Sequence, residues 1–446
     1  TVNIDCGNIT QIVGAISDIA TAYTSGGFSG LGDEEIIFTF ANIQADLLNA
    51  IDAANSRVIN ASGVASLTGS ASDLNTAYAS SGVSGLGNEP VTLTDTSLAA
   101  SVLNTLDGNT SGTIDASSIN TLTGTAADLN TAYTSAGISG LNNEAITLTD
   151  TSLTASVLNT LDGRTSGTIN ASSINTLSGT AAELNTAYTS AGISGLNNEA
   201  ITLTDTSLTA TVLNTLDGRT SGTINASSIN ALTGSAADLN TAYTSSGISG
   251  LNNEAVTLTD TSLTASVLND LDGRTSGAIN AASLNTLTGA AADLNTAYAS
   301  SGISNLGDEA VTLTDTSLTA SVLNTLDGRT SGSINANSIN TLSGTAADLN
   351  TAYDSSGISG LGNEAVTIAD TSLAGSVSFT QLGPDIDGEA ANDYSGRSVS
   401  LSSDGSIVAI GAHGNDGNGS MSGHTRIYQW DSASSSWNQR GSDIDG

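Results

Sequence analysis

Apolar and polar positions alternate with two local periods that repeat along the chain. Between Gly167 and Ser221, Thr168-Ile169-Asn170-Ala171 reads as a short strand after a glycine. Ile174 and Leu177 lie one helical turn apart. Leu184, Ala187 and Tyr188 share one face of a helix over 181–188, with Thr180 placed to cap it. Gly192, Gly195 and Asn197-Asn198 fill a loop, and Ile201-Thr202-Leu203-Thr204 has the alternation of a half-buried strand. Leu208, Val212, Leu213 and Leu216 form a second helical stripe, capped by Asp205 or Thr206 and closed by Asp217-Gly218. The expected order is strand–helix–strand–helix, two modules of about 27 residues each.

This pattern is written seven times with a constant 55-residue period, marked by Tyr23, Tyr78, Tyr133, Tyr188, Tyr243, Tyr298 and Tyr353. A fixed period of this size predicts an α/β repeat solenoid with parallel strands over residues 1–375, each unit burying its apolar face against its neighbours. Residues 1–56 are a degenerate first copy. Phe40 stands where later copies have Asp95, Asp150 or Asp205, and Cys6 stands where they have alanine. If all strands join one sheet, each copy rises about 9–10 Å; if they divide into two sheets, about half that. Identical positions are expected to stack, so Asn49, Asn104, Asn159, Asn214, Asn269 and Asn324 form one ladder. Asn75, Asn130, Asn185, Asn240, Asn295 and Asn350 form another. Their amides are expected to satisfy backbone groups at turns and helix ends.

The seventh copy fails after Gly375, and residues 376–446 change character. They hold both tryptophans and both histidines. Phe379-Thr-Gln-Leu-Gly-Pro-Asp-Ile-Asp-Gly388 returns one 58-residue step later as Trp437-Asn-Gln-Arg-Gly-Ser-Asp-Ile-Asp-Gly446, so the polypeptide is expected to continue into a further copy. Strands are predicted at 398–402, 406–412 and 425–430, with Asp404-Gly405 as a hairpin turn. Val399-Ser-Leu-Ser-Ser-Asp-Gly-Ser-Ile-Val-Ala-Ile-Gly-Ala412 and His424-Thr-Arg-Ile-Tyr-Gln-Trp430 resemble an FG-GAP or integrin-α-like β-propeller repeat. That implies a partial antiparallel, blade-like segment. The 55-residue unit, with Leu-Thr-Gly-Thr-Ala-Ala-Asp-Leu-Asn-Thr-Ala-Tyr and Gly-Ile-Ser-Gly-Leu-Asn-Asn-Glu-Ala, is similar to repeats in giant secreted surface proteins of marine cyanobacteria tied to motility and adhesion. The resemblance implies an extracellular or cell-surface location.

Charge adds a second constraint. The net charge is −35, there is no lysine, and the copy from Gly167 carries Glu183, Glu199, Asp205 and Asp217 against Arg219. An even acidic coat of this kind repels nucleic acid and anionic membranes. One cysteine allows no internal disulfide, and no apolar run reaches the length of a membrane span. The first residue is threonine, consistent with a processed chain or a piece of a longer one.

Candidate chemistry is sparse. Asp107-Gly-Asn109-Thr-Ser111-Gly-Thr-Ile-Asp115 has the alternating oxygens of a calcium loop, but Ser118 occupies the place of the bidentate glutamate. Arg164, Arg219, Arg274 and Arg329 later replace Asn109; near helix C-termini the dipole favours them. Asp416 and Asn418 lie in a polar glycine loop, a second weak calcium candidate. Paired threonines such as Thr147 with Thr149 and Thr202 with Thr204 suit an exposed strand face, or an ice-binding array. No nucleophile–histidine or metal-ligand cluster is visible, so neither enzyme activity nor a cofactor is expected, calcium aside. The composite expectation is a structural rod in a large surface or filament protein, self-associating end to end or laterally. An adhesin that binds glycans or other surface proteins is the alternative.

Overall fold

A computed structural model describes residues 3–370 and 381–446. The chain has two compact units: Thr1–Leu342 with Thr351–Val366, and Ser343–Asn350 with Thr367–Gly446. The boundary expected between residues 375 and 376 lies outside the described residues.

The first unit is a stack of parallel strands and short helices. The helix Ala181–Thr189 starts where expected. Thr180 and Glu183 close it with a reciprocal capping box. The second helix is shorter than its stripe, Ala210–Asp217, with Gly218 as C-cap. Leu208 belongs instead to a strand, Ser207–Thr209, and Leu177 to the strand Thr176–Gly179. Apolar residues three apart were therefore not helical here. β-branched and small neighbours in a short segment extend when a parallel partner is at hand.

Each of the first six copies thus holds five strands and two helices. Helices begin at Ala155, Ala181, Ala210 and Ala236, so a shorter and a longer turn alternate. The shorter turn contains two strands, Ile169–Asn170 and Thr176–Gly179, before its helix. The longer turn contains three: Ile193–Ser194, Ala200–Leu203 and Ser207–Thr209. One copy is two turns, so it rises about 9–10 Å at the ordinary strand spacing.

Strand partners lie closer along the chain than successive helix starts do. Leu153 pairs with Leu177, Leu177 with Ile201, Ile201 with Ile224 and Ile224 with Ile248. Each sheet therefore slides back along the turn as it climbs. Through the middle copies it ends after five strands, and a new one starts in the next copy. Identical strands of successive copies do not stack on one another, contrary to the simplest reading of the period. Stacking combines different strands that share an inward apolar residue. Leu177, Ile201 and Ile224 are all buried. So are the helix residues Ala181, Leu184, Ala187, Ala210, Leu213 and Leu216.

The two asparagine ladders merge into one for the same reason. Asn104 and Asn130 hold the same fifth position in successive helices, Ala100–Asn109 and Ala126–Thr134. Asn104 Nδ2 donates to the carbonyl of Asp128 at 2.9 Å, and Asn159 and Asn214 repeat the bond to Glu183 and Asp238. Each such amide satisfies a main-chain acceptor in the next helix, as expected of polar groups inside a repeat stack.

The described part of the second unit includes an antiparallel sheet with strands Ser395–Leu401, Ile407–Ala412, His424–Asp431 and Ser436–Gln439 in that order. The Asp404-Gly405 turn is present, with Gly405 at φ +68°. Asp404 accepts hydrogen bonds from Ser402 Oγ and the Ser406 backbone. These hold its carboxyl down at about 2. A short strand, Ile444–Asp445, pairs with His424 and Thr425. The 58-residue near-repeat also recurs in contacts, since Gln381 donates to Asp385 and Gln439 to Asp443.

Candidate functional site

The acidic residues of the array are not a free coat. Asp205 Oδ2 accepts the first helical N–H of Ala181, in the preceding turn, at 2.7 Å. It caps the preceding helix rather than the following one, which Thr209 caps. The bond recurs from Ala71 to Asp95, Ala126 to Asp150, Ala236 to Asp260 and Ala291 to Asp315. The degenerate Phe40 can make no such bond, and the helix Ile16–Thr24 has no side-chain cap. Asp217 accepts from Ser245 in the next turn at 2.7 Å.

Glu199 is only 1% exposed. Its oxygens accept the Asn197 N–H at 2.8 and 3.0 Å and the Tyr188 hydroxyl at 2.9 Å. No arginine pairs with it among the described residues. A buried carboxylate without a cation is tolerated because charge-assisted hydrogen bonds replace its water. Tyr23, Tyr133, Tyr243, Tyr298 and Tyr353 make the same bond to the glutamate that follows in their own copies. In the sequence this glutamate looks like surface charge. Only the loop that folds over it withdraws it from solvent.

Burial, reinforced by the adjacent carboxylates, raises the phenol pKa well above the ordinary value at Tyr133, Tyr188 and Tyr243, and to about 12 at Tyr353. The folded state therefore holds these protons more tightly than the unfolded chain. The resulting stability is complete below about pH 10 and is lost as pH rises through the folded values. Phenolate absorbance is expected to stay low for these tyrosines at about pH 11. It should appear abruptly with alkaline unfolding. Smooth titration of all of them near pH 10 would contradict the Tyr–Glu pairing.

The residues of the first calcium candidate are bonded to partners in different turns. Asp107 accepts from Ser135 Oγ at 2.7 Å in the turn ahead. Asn109 donates to Asn75 Oδ1 at 2.8 Å and Ser111 to the Gly87 carbonyl at 3.0 Å, both behind it. Asp115 accepts from the Ser117 backbone at 3.0 Å, and Ser117 holds its carboxyl below the usual range. In the other candidate, Asp416 accepts from the Met421 N–H at 2.6 Å, and Asn418 donates to the Gly446 carbonyl at 3.4 Å.

The threonine faces are exposed, but the rows across each sheet are mixed. Thr202 lies between Ser178 and Asn225, and Thr257 between Thr233 and Asn280.

The antiparallel sheet gathers chemistry that the sequence scattered. His424 Nδ1 lies 3.3 Å from Asp443 Oδ2 and 3.9 Å from Glu389 Oε2. Arg426 clamps Asp443 through Nε and Nη2 at 3.0–3.1 Å, lowering the aspartate pKa, and also pairs with Glu389. Asn415 Nδ2 reaches Glu389 at 3.1 Å and the buried Asp393 at 3.0 Å. Glu389, His424 and Asp443 come from a loop, a strand and the start of the following near-copy. No spacing rule in the sequence could have grouped them, although the second Asp-Ile-Asp-Gly marked one of the three elements. Beside the cluster, Arg397, His413, Thr425 and Asp445 line a cleft of about 670 Å³. Tyr394 stacks on His413 at 5.0 Å, and Trp430 meets Trp437 edge to face at 5.5 Å.

Among the described residues, no helix is long and apolar enough to cross a membrane. No curated protein and no solved structure matches the chain. Residues 386–428, which span the first two strands of the sheet and enter the third, match the family model described as FG-GAP repeat.

Proposed function

We propose that this chain is part of an extracellular structural repeat protein, without enzymatic activity, in which the parallel array is a stiff acidic spacer and the FG-GAP segment a linking or recognition module. The observation that carries this reading is where the array spends its polar groups. In the copy from Gly167, Glu183, Asp205, Asp217 and Glu199 each accept hydrogen bonds from within the array. Equivalent bonds recur in neighbouring copies, so the copies form a continuous support with no singular reactive centre. FG-GAP repeats are typical of extracellular proteins, which supports the location. Among the described residues the first copy leaves Val13 and Phe40 exposed, 55% and 65%, apolar surface that a second copy of the chain can cover. End-to-end association into filaments follows, and electron microscopy of the purified chain is expected to show them lengthening with concentration. Isolated particles at every concentration would refute the filament.

The cleft beside Arg397, His413 and Asp445 favours a second reading, an adhesin that takes a glycan or another surface protein at the FG-GAP segment. Glycan-array binding that disappears when residues after 376 are removed would support it. Ice binding is not favoured, because the mixed Thr/Ser/Asn rows lack a repeated threonine face.

A further inference from the structure

We propose that Glu389, His424 and Asp443 bind one divalent transition-metal ion of the zinc or manganese class, and that this ion fastens the near-repeat segment Trp437–Gly446 to the sheet before it. One ligand atom from each residue lies within 4.8 Å of the other two. The His424 side chain is 4% exposed, and its Nδ1 makes no hydrogen bond although it faces both carboxylates. A buried ring nitrogen aimed at two carboxylate oxygens without a bond of its own is a ligand set without its centre.

Charge points the same way. Arg426 pairs with Glu389 and Asp443, and Asn415 links Glu389 to a third carboxylate, the buried Asp393, so three carboxylates share one guanidinium. A divalent cation makes the group neutral, with His424 contributing its lone pair rather than a proton. The surroundings are those of groups that orient metal ligands. Arg426 holds Glu389 through Oε1, leaving Oε2 toward the histidine, and Asn415 fixes the same carboxylate. One imidazole nitrogen with two carboxylate oxygens suits zinc or manganese better than calcium, which takes oxygen ligands in greater number.

The position gives the ion a role. His424 opens the strand His424–Asp431 and pairs with Asp445, while Asp443 belongs to the returning Asp-Ile-Asp-Gly. A metal held by both would lock the returning segment onto the strand it pairs with.

The test is calorimetric titration of the chelator-treated full chain with zinc and, separately, manganese. One equivalent should bind, and Glu389→Gln and His424→Gln should each weaken binding by at least about ten-fold. Asp416→Asn should leave it unchanged. Glu389 is exposed, so Glu389→Gln should retain the native tryptophan fluorescence and separate loss of the ion from loss of fold. Failure of both ions to bind would overturn the proposal. So would binding that survives both glutamine variants, binding lost only in Asp416→Asn, or calcium binding there in place of either ion. None of these outcomes depends on filament formation.

Discussion

Alanine at Gly222 is expected to destabilise the array by about 3 kcal/mol, whereas alanine at Gly218, four residues earlier in the same loop, should be neutral or stabilising by up to about 1 kcal/mol. A Cβ at Gly222 would stand 2.0 Å from the Glu199 carbonyl oxygen and 2.6 Å from its carbon. Those atoms are main chain of the turn below and cannot rotate away. The same approach recurs at Gly112, Gly167, Gly277 and Gly332, each 1.9–2.1 Å from the carbonyl of the corresponding glutamate. These glycines let one turn settle on the next. Gly218 has φ −70° and ψ −7°, and nothing lies closer than 3.6 Å to its Cβ position. Urea unfolding followed by circular dichroism reads both variants. Equal midpoints would show that the turns are looser than their hydrogen bonds require. Because a repeat array unfolds in parts, a broadened transition for Gly222→Ala is also expected.

Glu199→Ala should cost roughly 2–5 kcal/mol, a large effect for removing a negative charge from a chain already at −35. Relief of like-charge repulsion would argue for stabilisation. The carboxylate, however, is buried and satisfies the Asn197 N–H and the Tyr188 hydroxyl. Removing it takes the acceptor from two part-buried donors, each worth up to about 1–3 kcal/mol. Tyr188 should then ionise at lower pH than its counterparts, since one of the causes that raises its pKa is gone. A loss under about 0.5 kcal/mol, the range of ordinary surface changes, would mean that solvent replaces the carboxylate.

Both predictions concern residues whose roles the sequence concealed. Glycine and glutamate recur at fixed positions, yet recurrence alone does not distinguish a loop residue from one pressed against a neighbouring main chain. Gly195, at φ +87°, is more legible, because copy six replaces it with Asn305 at φ +60°, the side chain best suited to the left-handed region. The helix at Ala181 was legible from its cap and stripe. The strand at Ser207 was not, because so short a segment carries too little periodicity to outweigh an adjacent helical stripe.

In the FG-GAP segment, the hairpin at Asp404-Gly405 and the central strands could be read from turn chemistry and alternation. The cluster of Glu389, His424 and Asp443 could not. It exists only because Ile444–Asp445 returns to pair with His424 and Thr425, carrying Asp443 back across the sheet.

By itself the sequence determined the 55-residue period, the parallel α/β class, the Thr180 helix cap and the change of character near residue 375; the second cap, expected at Asp205 or Thr206, falls on Thr209. Those depend on local periodicity and on residues close along the chain. Tertiary structure decided the two-turn copy, the sliding five-stranded sheets, the single asparagine ladder and the withdrawal of Glu199 from solvent. The copy, the sheets and the ladder follow from a mismatch between two lengths. The chain between strand partners, such as Leu177 and Ile201 or Ile201 and Ile224, is shorter than the chain between helix starts, such as Ala181 and Ala210. Side-chain pattern fixes what each segment prefers. Which segments meet, and which loop closes over Glu199, is set by hydrogen-bond register between turns, and that register appears only when the turns are stacked.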